Sequence, residues 1–186
     1  MDMTGEQLIA LPQQRVWEAL NDPQILKDCI PGCETMEKVS DTEYRVVLSA
    51  AVGPVKAKFS GKLLLSDLNP PNAYALNFEG SGGAAGFGKG DCKVTLSAAD
   101  GGTRLAYTAH ATVGGKLAQV GSRLIDGVAR KMADDFFARF NQRLVPSAQP
   151  AAAAAPKAKI PLWAWVLGII VLLLLALFLA KSTGGY

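Results

Sequence analysis

The sequence contains few of the residues that most often carry out catalysis or bind metals. It has one histidine and three cysteines among 186 residues. His110 lies between Thr108 and Thr112 on the outward face of a predicted strand, so a general base there would be in water with no nucleophile beside it. Cys29 and Cys33 supply two thiols, whereas a structural zinc site needs four ligands. Because no pair of carboxylates suited to acid–base catalysis is evident either, we expect no enzymatic activity.

Other absences narrow the class of protein. The amino terminus lacks the basic opening and apolar run of a secretory signal peptide. An odd number of cysteines is no disulfide framework and agrees with a reducing compartment. Residues 1–144 carry 9 lysines and 7 arginines against 16 acidic residues. A neutral domain has no electrostatic footprint for nucleic acid, so we expect a cytosolic domain that binds neither DNA nor RNA.

One long apolar run lies near the carboxyl end of the chain. Residues 160–180 contain no charged side chain, and a helix of this length is about 30 Å long, which matches the hydrocarbon core of a bilayer. Trp163 and Trp165 lie near its start, where aromatic rings favour the headgroup region. The sequence therefore predicts one C-terminal transmembrane helix.

The lysines near this segment predict its orientation. Lys157 and Lys159 precede the apolar run, and Lys181 follows it. The larger positive charge favours a single-pass anchor in the cytoplasmic membrane, with the folded domain on the cytoplasmic side and residues 181–186 as a short tail beyond the far interface. Residues 145–159 are rich in proline and alanine, and they predict a tether that reaches roughly 45 Å if it is mostly extended.

Periodicity predicts an α+β fold for residues 1–144. A strand over residues 3–10 precedes two short helices, the first over residues 12–20 and the second ending before Pro31. Strands separated by turn residues follow, at 34–40, 43–52, 55–67, 73–80, 89–98 and 103–114. The last segment has an apolar stripe typical of a long helix bent at Gly121 and Ser122. A curved antiparallel sheet wrapped around this C-terminal helix would bury both apolar faces.

Strand alternation predicts an apolar inner face with many small residues. Small side chains on the concave side of a sheet leave volume, which is either filled by the helix or forms a cavity for an apolar ligand. In the second case aromatic residues would supply stacking surface and hydroxyl donors, and the helix would supply the opposite wall. The predicted ligand-binding residues are Tyr44, Phe59, Leu63, Tyr74, Phe78, Tyr107, Leu124, Ile125, Val128 and Met132.

The stretch at residues 80–90, GSGGAAGFGKG, is the most unusual local feature. It lacks the phosphate-binding G-x-x-x-x-G-K-[ST] pattern, because Asp91 follows Gly90. Glycine-rich backbone at a strand end permits bends and movement. Two interpretations remain open: a wide hairpin loop, or a mobile flap in which Phe87 covers the mouth of a cavity and contacts the ligand.

Several segments resemble a known family. They are MDMTGEQLIALPQQRVWEALNDPQILKDCIPGCE, VGPVKAKFSGKLLLSDLNPP, GGAAGFGKG and VGGKLAQVGSRLIDGVARKMADDFF. They make nearly all of residues 1–144 similar to the CoxG family of carbon monoxide dehydrogenase subunits, which belongs to the START-like (SRPBCC) helix-grip superfamily. The resemblance implies a helix-grip fold, a hydrophobic cavity and an accessory role for the molybdenum–copper carbon monoxide dehydrogenase.

The resemblance also implies recruitment of that enzyme to the cytoplasmic membrane and binding of a respiratory quinone. It supplies no catalytic residues and no cofactor of the protein's own. Relatives occur away from carbon monoxide operons, so a related molybdenum hydroxylase is an alternative partner.

Three hypotheses follow. The first is a tethered carrier of menaquinone or ubiquinone, and the second is a pure membrane adaptor without a ligand cavity. The third is an enzyme, which would require a one-residue register slip that turns Thr95, Thr108 or His110 inward.

Overall fold

The computed structural model describes residues 1–144 as seven strands and four helices. The first half comprises β1 (Asp2–Ile9), α1 (Gln13–Leu20), α2 (Pro23–Cys29), β2 (Cys33–Lys38), β3 (Glu43–Val52) and β4 (Val55–Asn69). The second comprises β5 (Ala73–Ser81), a 3-10 turn (Gly83–Ala85), β6 (Phe87–Ala99), β7 (Gly102–Gly114), α3 (Lys116–Gln119) and α4 (Ser122–Leu144). The predicted linker, transmembrane helix and tail lie outside the described residues. Among the helices of residues 1–144, none is long and apolar enough to cross a membrane.

All seven strands form one antiparallel sheet in the order β1-β7-β6-β5-β4-β3-β2. The predicted α+β fold, with a curved antiparallel sheet and a long C-terminal helix, is confirmed over the described residues. The predicted bend in that helix is a complete break. Gly121 adopts a φ of +94° between α3 and α4, a backbone conformation that favours glycine and interrupts the helical hydrogen bonds.

The inner face of the sheet has the predicted alternation. In β3 the side chains of Tyr44 and Val46 are buried, whereas that of Arg45 is exposed. The same pattern continues in the middle strands, with the exception that Ala98, predicted to face inward, is exposed near the end of β6. The register that the sequence pattern indicates is therefore the one the sheet adopts, and a one-residue slip does not occur.

Aromatic rings fix the carboxyl half of α4 against the sheet. Tyr107 of β7 stacks on Phe137 with ring centroids 5.6 Å apart, and Phe136 stacks on Phe140 at 5.5 Å. Phe140 is completely buried. We call these four residues the aromatic clamp. Aromatic pairs of this kind add about 0.5–1.5 kcal/mol to the stabilisation from burial alone, so the clamp anchors the helix to the sheet at this end.

Polar contacts position the two short helices. Asp22 caps α2, because its Oδ1 accepts hydrogen bonds from the backbone N–H groups of Gln24 (2.8 Å) and Ile25 (3.2 Å). At the start of α1, the Gln13 side-chain amide donates to the Leu96 carbonyl of β6 at 3.0 Å. The Gln13 bond ties α1 to the sheet, whereas the Asp22 cap fixes where α2 begins. Leu20 of α1 and Leu26 of α2 line the space between the sheet and α4.

Thr103 provides a test of this packing. Its side chain is completely buried, and its hydroxyl donates to the Leu11 carbonyl at 2.6 Å. We expect Thr103→Val to lower the free energy of unfolding by about 1–3 kcal/mol, since the Leu11 carbonyl loses its donor in a dry environment. Urea unfolding measures the difference. The matched control is Thr108→Val on the outer face of the same strand, which should change stability by less than about 0.5 kcal/mol; equal effects would contradict the assigned role of the bond.

Candidate ligand-binding site

Two apolar chambers lie between the sheet and the helices. The first, which we call the tyrosine chamber, has a volume of about 240 Å³ and is bounded by the sheet, α1, α2 and the carboxyl half of α4. A cavity of about 150 Å³ already accommodates a benzene ring, so this chamber has room for a substituted ring. Its lining residues are Leu20, Leu26, Ile30, Tyr44, Leu63, Leu65, Tyr74, Leu76, Cys92, Val94, Leu105, Tyr107, Ala133, Phe136 and Phe137.

The second chamber, which we call the hairpin chamber, has a volume of about 280 Å³. It lies towards the β3–β4 and β5–β6 turns and shares Leu63 with the tyrosine chamber, so the two spaces adjoin. Apart from Glu79, its lining residues are all apolar or glycine. They are Val46, Leu48, Ala50, Val52, Phe59, Gly61, Leu63, Phe78, Glu79, Gly80, Gly88, Leu117 and Met132.

Three glycines side by side make room for the hairpin chamber. Gly61 of β4 pairs with Gly80 of β5, and Gly80 pairs with Gly88 of β6. This row removes three consecutive side chains from the inner face, and Ala50 of β3 lines the same chamber. Of the two alternatives, an interior filled by the helix and a cavity, the structure shows a cavity, because α4 leaves space above the row of glycines.

Tyrosine hydroxyls are the polar groups at the tyrosine chamber. The Tyr44 hydroxyl donates to the Asn21 carbonyl at 3.0 Å and is already paired. The Tyr74 and Tyr107 hydroxyls form no hydrogen bond within residues 1–144. Every fully buried polar side-chain atom in that range has a partner, so these two hydroxyls are not fully buried. Both hydroxyls must therefore reach accessible space. The Tyr74 side chain lines the tyrosine chamber, whereas the Tyr107 hydroxyl lies over Gly5 of β1, a strand that contributes no residue to the chamber lining.

The protonation of these tyrosines suits hydrogen-bond donation. Burial raises the pKa of Tyr74 and, less strongly, that of Tyr107, because the phenolate form would be poorly solvated. Both groups are neutral at physiological pH, so the Tyr74 hydroxyl at the chamber can donate to an acceptor such as a ligand carbonyl.

The remaining reactive groups offer little chemistry. Cys92 lines the tyrosine chamber, where burial, assisted by the nearby Asp91 carboxylate, raises the pKa of its thiol to about 11. A thiol with that pKa is protonated at neutral pH and is a poor nucleophile. Within residues 1–144, no group of three or more His, Cys, Asp or Glu side chains is arranged to hold a metal ion. His110 lies on the outer face as predicted, paired with Asp2.

Seven of the eleven predicted binding residues line the chambers. Tyr44, Tyr74 and Tyr107 line the tyrosine chamber; Phe59, Phe78 and Met132 line the hairpin chamber; and Leu63 lines both. The other four, Phe87, Leu124, Ile125 and Val128, line neither.

The predicted helix wall is displaced along α4. The chamber walls are formed by Met132, Ala133, Phe136 and Phe137, in the middle of α4, and not by residues of its first two turns. Leu124 packs on the β3–β4 turn, since a Cβ at Gly53 would lie 2.7 Å from its Cδ2.

Phe87 does not cover a chamber. β5 and β6 stay paired as far as Ser81 and Phe87, and the intervening turn is closed by a hydrogen bond from the Gly82 N–H to the Gly86 carbonyl at 2.8 Å. The Phe87 ring lies on the outer face of the sheet, against Gly114. Of the two interpretations of the glycine-rich stretch, the structure shows a hairpin, and a tighter one than the sequence predicts.

Sequence reasoning missed several lining residues. Leu20, Leu26 and Ile30 come from α1 and α2, whose apolar residues gave no indication of which neighbour they would face. Cys92 was predicted to face inward but not to contact ligand. Phe136 belonged to the predicted apolar stripe of the helix, so its position could have been found from the same periodicity.

An antiparallel sheet that wraps a long helix and keeps apolar space between them defines the helix-grip class of ligand-binding folds. Within that class, the family model of CoxG, described as a subunit of carbon monoxide dehydrogenase, matches residues 5–145. The chain belongs to the CoxG family. Among functionally curated proteins, none matches the chain.

Solved structures agree with this assignment. A conserved protein from Geobacillus kaustophilus is 32% identical, with a TM-score of 0.74, over 79% of this chain and 97% of its own. A protein from Thermus thermophilus is 16% identical (TM-score 0.60; 80% of this chain and 99% of its own). One from Mycobacterium smegmatis is 18% identical (TM-score 0.59; 78% and 91%). The last two show the same fold.

The buried environment of Cys92 predicts its reactivity. We expect alkylation by iodoacetamide to be slow near about pH 8 and to accelerate about tenfold per pH unit up to about pH 11, because only the thiolate reacts. Mass spectrometry of the modified peptide over time measures the rate. The control is the same protein unfolded in urea, where an ordinary thiol pKa of about 8.5 gives much faster reaction; equal rates in both states would contradict the assigned environment.

Proposed function

We propose that this chain is a membrane-anchored accessory protein of aerobic carbon monoxide dehydrogenase, or of a related molybdenum hydroxylase, and that it binds a respiratory quinone or similar apolar lipid. Membership of the CoxG family implies the association with carbon monoxide dehydrogenase. The observation that carries the ligand proposal is the pair of adjoining apolar chambers, one of which is lined by Tyr74, whose hydroxyl is unpaired.

The two chambers differ in the part of a ligand that each would suit. The tyrosine chamber offers flat aromatic surface and the Tyr74 hydroxyl as a donor, which match the ring and a carbonyl oxygen of menaquinone or ubiquinone. The hairpin chamber has apolar walls without hydroxyl groups, which suits part of an isoprenoid tail. Each CH₂ group removed from water stabilises the complex by about 0.8 kcal/mol. A shielded carrier would therefore lower the cost of moving a quinone between the bilayer and an enzyme.

The membrane part of the proposal depends on the sequence of the last 42 residues. A 21-residue uncharged segment at 160–180 would anchor the protein, and the flanking lysines would keep the domain on the cytoplasmic side. The linker at 145–159 would let the domain reorient between the bilayer and the dehydrogenase.

A non-catalytic role accords with the chemistry of the chambers. Their titratable groups are protonated tyrosines, a protonated thiol and Glu79, which has an exposed side chain paired with Lys62 at 3.1 Å. In this proposal the protein binds and presents the quinone, and the partner enzyme supplies the redox chemistry.

Ligand binding can be tested on residues 1–147, which form a compact unit. We expect gently purified protein to release a stoichiometric quinone or isoprenoid lipid on organic extraction, identified by mass spectrometry, and to bind added menaquinone or ubiquinone saturably. Ala133→Leu places extra side-chain volume in the tyrosine chamber and should weaken binding about tenfold. The control is Ala138→Leu at an exposed position of the same helix. A folded domain that contains no lipid and ignores added quinone would favour the adaptor hypothesis.

Recruitment is tested by truncation in cells. Removal of residues 148–186 should shift carbon monoxide dehydrogenase activity from the membrane fraction to the cytosol, because the proposed anchor is lost while the domain remains. Activity assays measure the shift on fractions separated at about 1 M salt, which screens charge contacts between the domain and lipid. Ala133→Leu in the full chain is the comparison that should keep recruitment. An unchanged membrane fraction after truncation would contradict the anchoring role.

A further inference from the structure

The antiparallel topology sorts the turns of the sheet to two ends. The β3–β4 turn, the β5–β6 turn and the connection from β7 to α4 lie at one end, which we call the hairpin end. The β2–β3, β4–β5 and β6–β7 turns lie at the other, which we call the opposite end. Close contacts confirm that the segments of the hairpin end converge: Leu124 packs on Gly53, and a Cβ at Gly115 would lie 2.6 Å from the Gly86 Cα.

The two ends differ in charge. Residues 51–57, 82–88 and 114–124 form the tips of the hairpin end and contain no acidic residue. Asp2 and Glu34, at the starts of β1 and β2, are set back from these tips and are paired with His110 and Lys58.

The opposite end carries three aspartates: Asp41 and Asp100 lie in turns and Asp67 lies near the end of β4. Asp41 is paired with Lys38 at 3.3 Å, so Asp67 and Asp100 define the negative charge of this end. A domain that is neutral as a whole is therefore polarised along its strands.

The cations of the hairpin end are available to a partner. Lys56, Lys116 and Arg123 are all exposed, and none forms an ion pair within residues 1–144. The next acidic residue along the chain, Asp126, is not paired with Arg123. Further from the tip, Lys58 is already bound to Glu34 at 2.7 Å, so the three unpaired cations define the charge of this end.

Apolar groups are exposed between these cations. Phe87 is 46% exposed and Leu124 is 41% exposed, and Pro54 and Ala84 at the tips of the two turns are also exposed. The hairpin chamber lies beneath them, because Val52 and Leu117 contribute to its lining. Exposed apolar side chains with unpaired cations on the same tips are typical of surfaces that insert into the headgroup region of an anionic bilayer.

We propose that the hairpin end is a docking surface for an anionic lipid bilayer, through which the apolar ligand enters the hairpin chamber. This inference rests on the proposed function and deepens it by naming the surface that faces the membrane. Phe87 and Leu124, which line neither chamber, act here as apolar contacts with the lipid. Asp67 and Asp100 at the opposite end help to orient the domain, since an anionic surface repels them while it attracts the cations.

The length of the chain allows this orientation. α4 runs from the hairpin end to Leu144, and its 23 residues are about 35 Å long. The predicted linker beyond Leu144 reaches roughly 45 Å if extended. A domain tethered at the far end of α4 can therefore turn its hairpin end to the same bilayer.

Vesicle binding of residues 1–147 tests the proposal without the anchor. The unit has its own core, and its Geobacillus relative is solved as a chain of which 97% matches this fold. We expect this domain to sediment with phosphatidylcholine vesicles containing about one-third phosphatidylglycerol at about 0.1 M salt, and much less with pure phosphatidylcholine. Equal sedimentation with both, or with neither, would overturn the proposal.

Matched variants locate the surface. Lys56→Gln, Lys116→Gln and Arg123→Gln together should weaken binding about a hundredfold, at about fivefold per charge. The control triple, Arg45→Gln, Lys93→Gln and Arg130→Gln, removes the same charge from exposed positions elsewhere and should bind as the unaltered domain does. Equal losses in both triples would overturn the proposal, since they would indicate a general charge effect.

A second pair of variants separates apolar insertion from charge. Phe87→Ser should weaken vesicle binding about fivefold, whereas Leu68→Ser, at an exposed leucine of the opposite end, should leave it unchanged. If the Lys56, Lys116 and Arg123 triple retained vesicle binding but lost the dehydrogenase, the surface would belong to the enzyme and the proposal would fail. Quinone binding in detergent, measured on the same variants, distinguishes this failure from failure of the ligand proposal.

Discussion

The aromatic clamp is the constraint on which the interior depends. Tyr107, Phe136, Phe137 and Phe140 fix the carboxyl half of α4 to the sheet by stacked rings, and Phe140 is fully buried. At its other end the helix rests on the β3–β4 turn through Leu124. Between these two supports the row formed by Gly61, Gly80 and Gly88 presents no side chains to the helix. A helix supported at both ends over a bare part of the sheet leaves space that packing would otherwise fill.

Much of the fold was predictable because the inner face alternates with few interruptions. Every strand was found within two residues of its observed ends, since a period of two fixes which side chains face the core. The helix break at Gly121 was also indicated, because glycine tolerates the positive φ that ends α3. The same alternation identified the three tyrosines and Leu63, which line the tyrosine chamber.

The remaining parts of the site depend on contacts distant in sequence. The row of three glycines forms only when β4, β5 and β6 pair in register. The sequence of any one strand therefore does not predict it. Apolar periodicity marks the face of α4 but not the turn at which the helix leaves the sheet. Met132 was therefore placed at the ligand correctly, whereas Leu124, Ile125 and Val128 were predicted where the structure has Ala133, Phe136 and Phe137. Phe87 was misplaced because glycine-rich sequence suggests a loop, whereas β6 starts at Phe87 itself and directs its ring outward.

The contact between Gly86 and Gly115 restricts how this family can vary. Two backbones 29 positions apart in the sequence touch so closely that a side chain on either would push the β5–β6 turn away from the start of α3. Replacing both glycines would bring two side chains into the same space, so we expect both to be retained wherever the hairpin chamber is kept. At Gly86, the glycine-rich stretch needs glycine because the two backbones pack too closely for a side chain. Glycine at this position therefore reflects tight packing and not a need for flexibility.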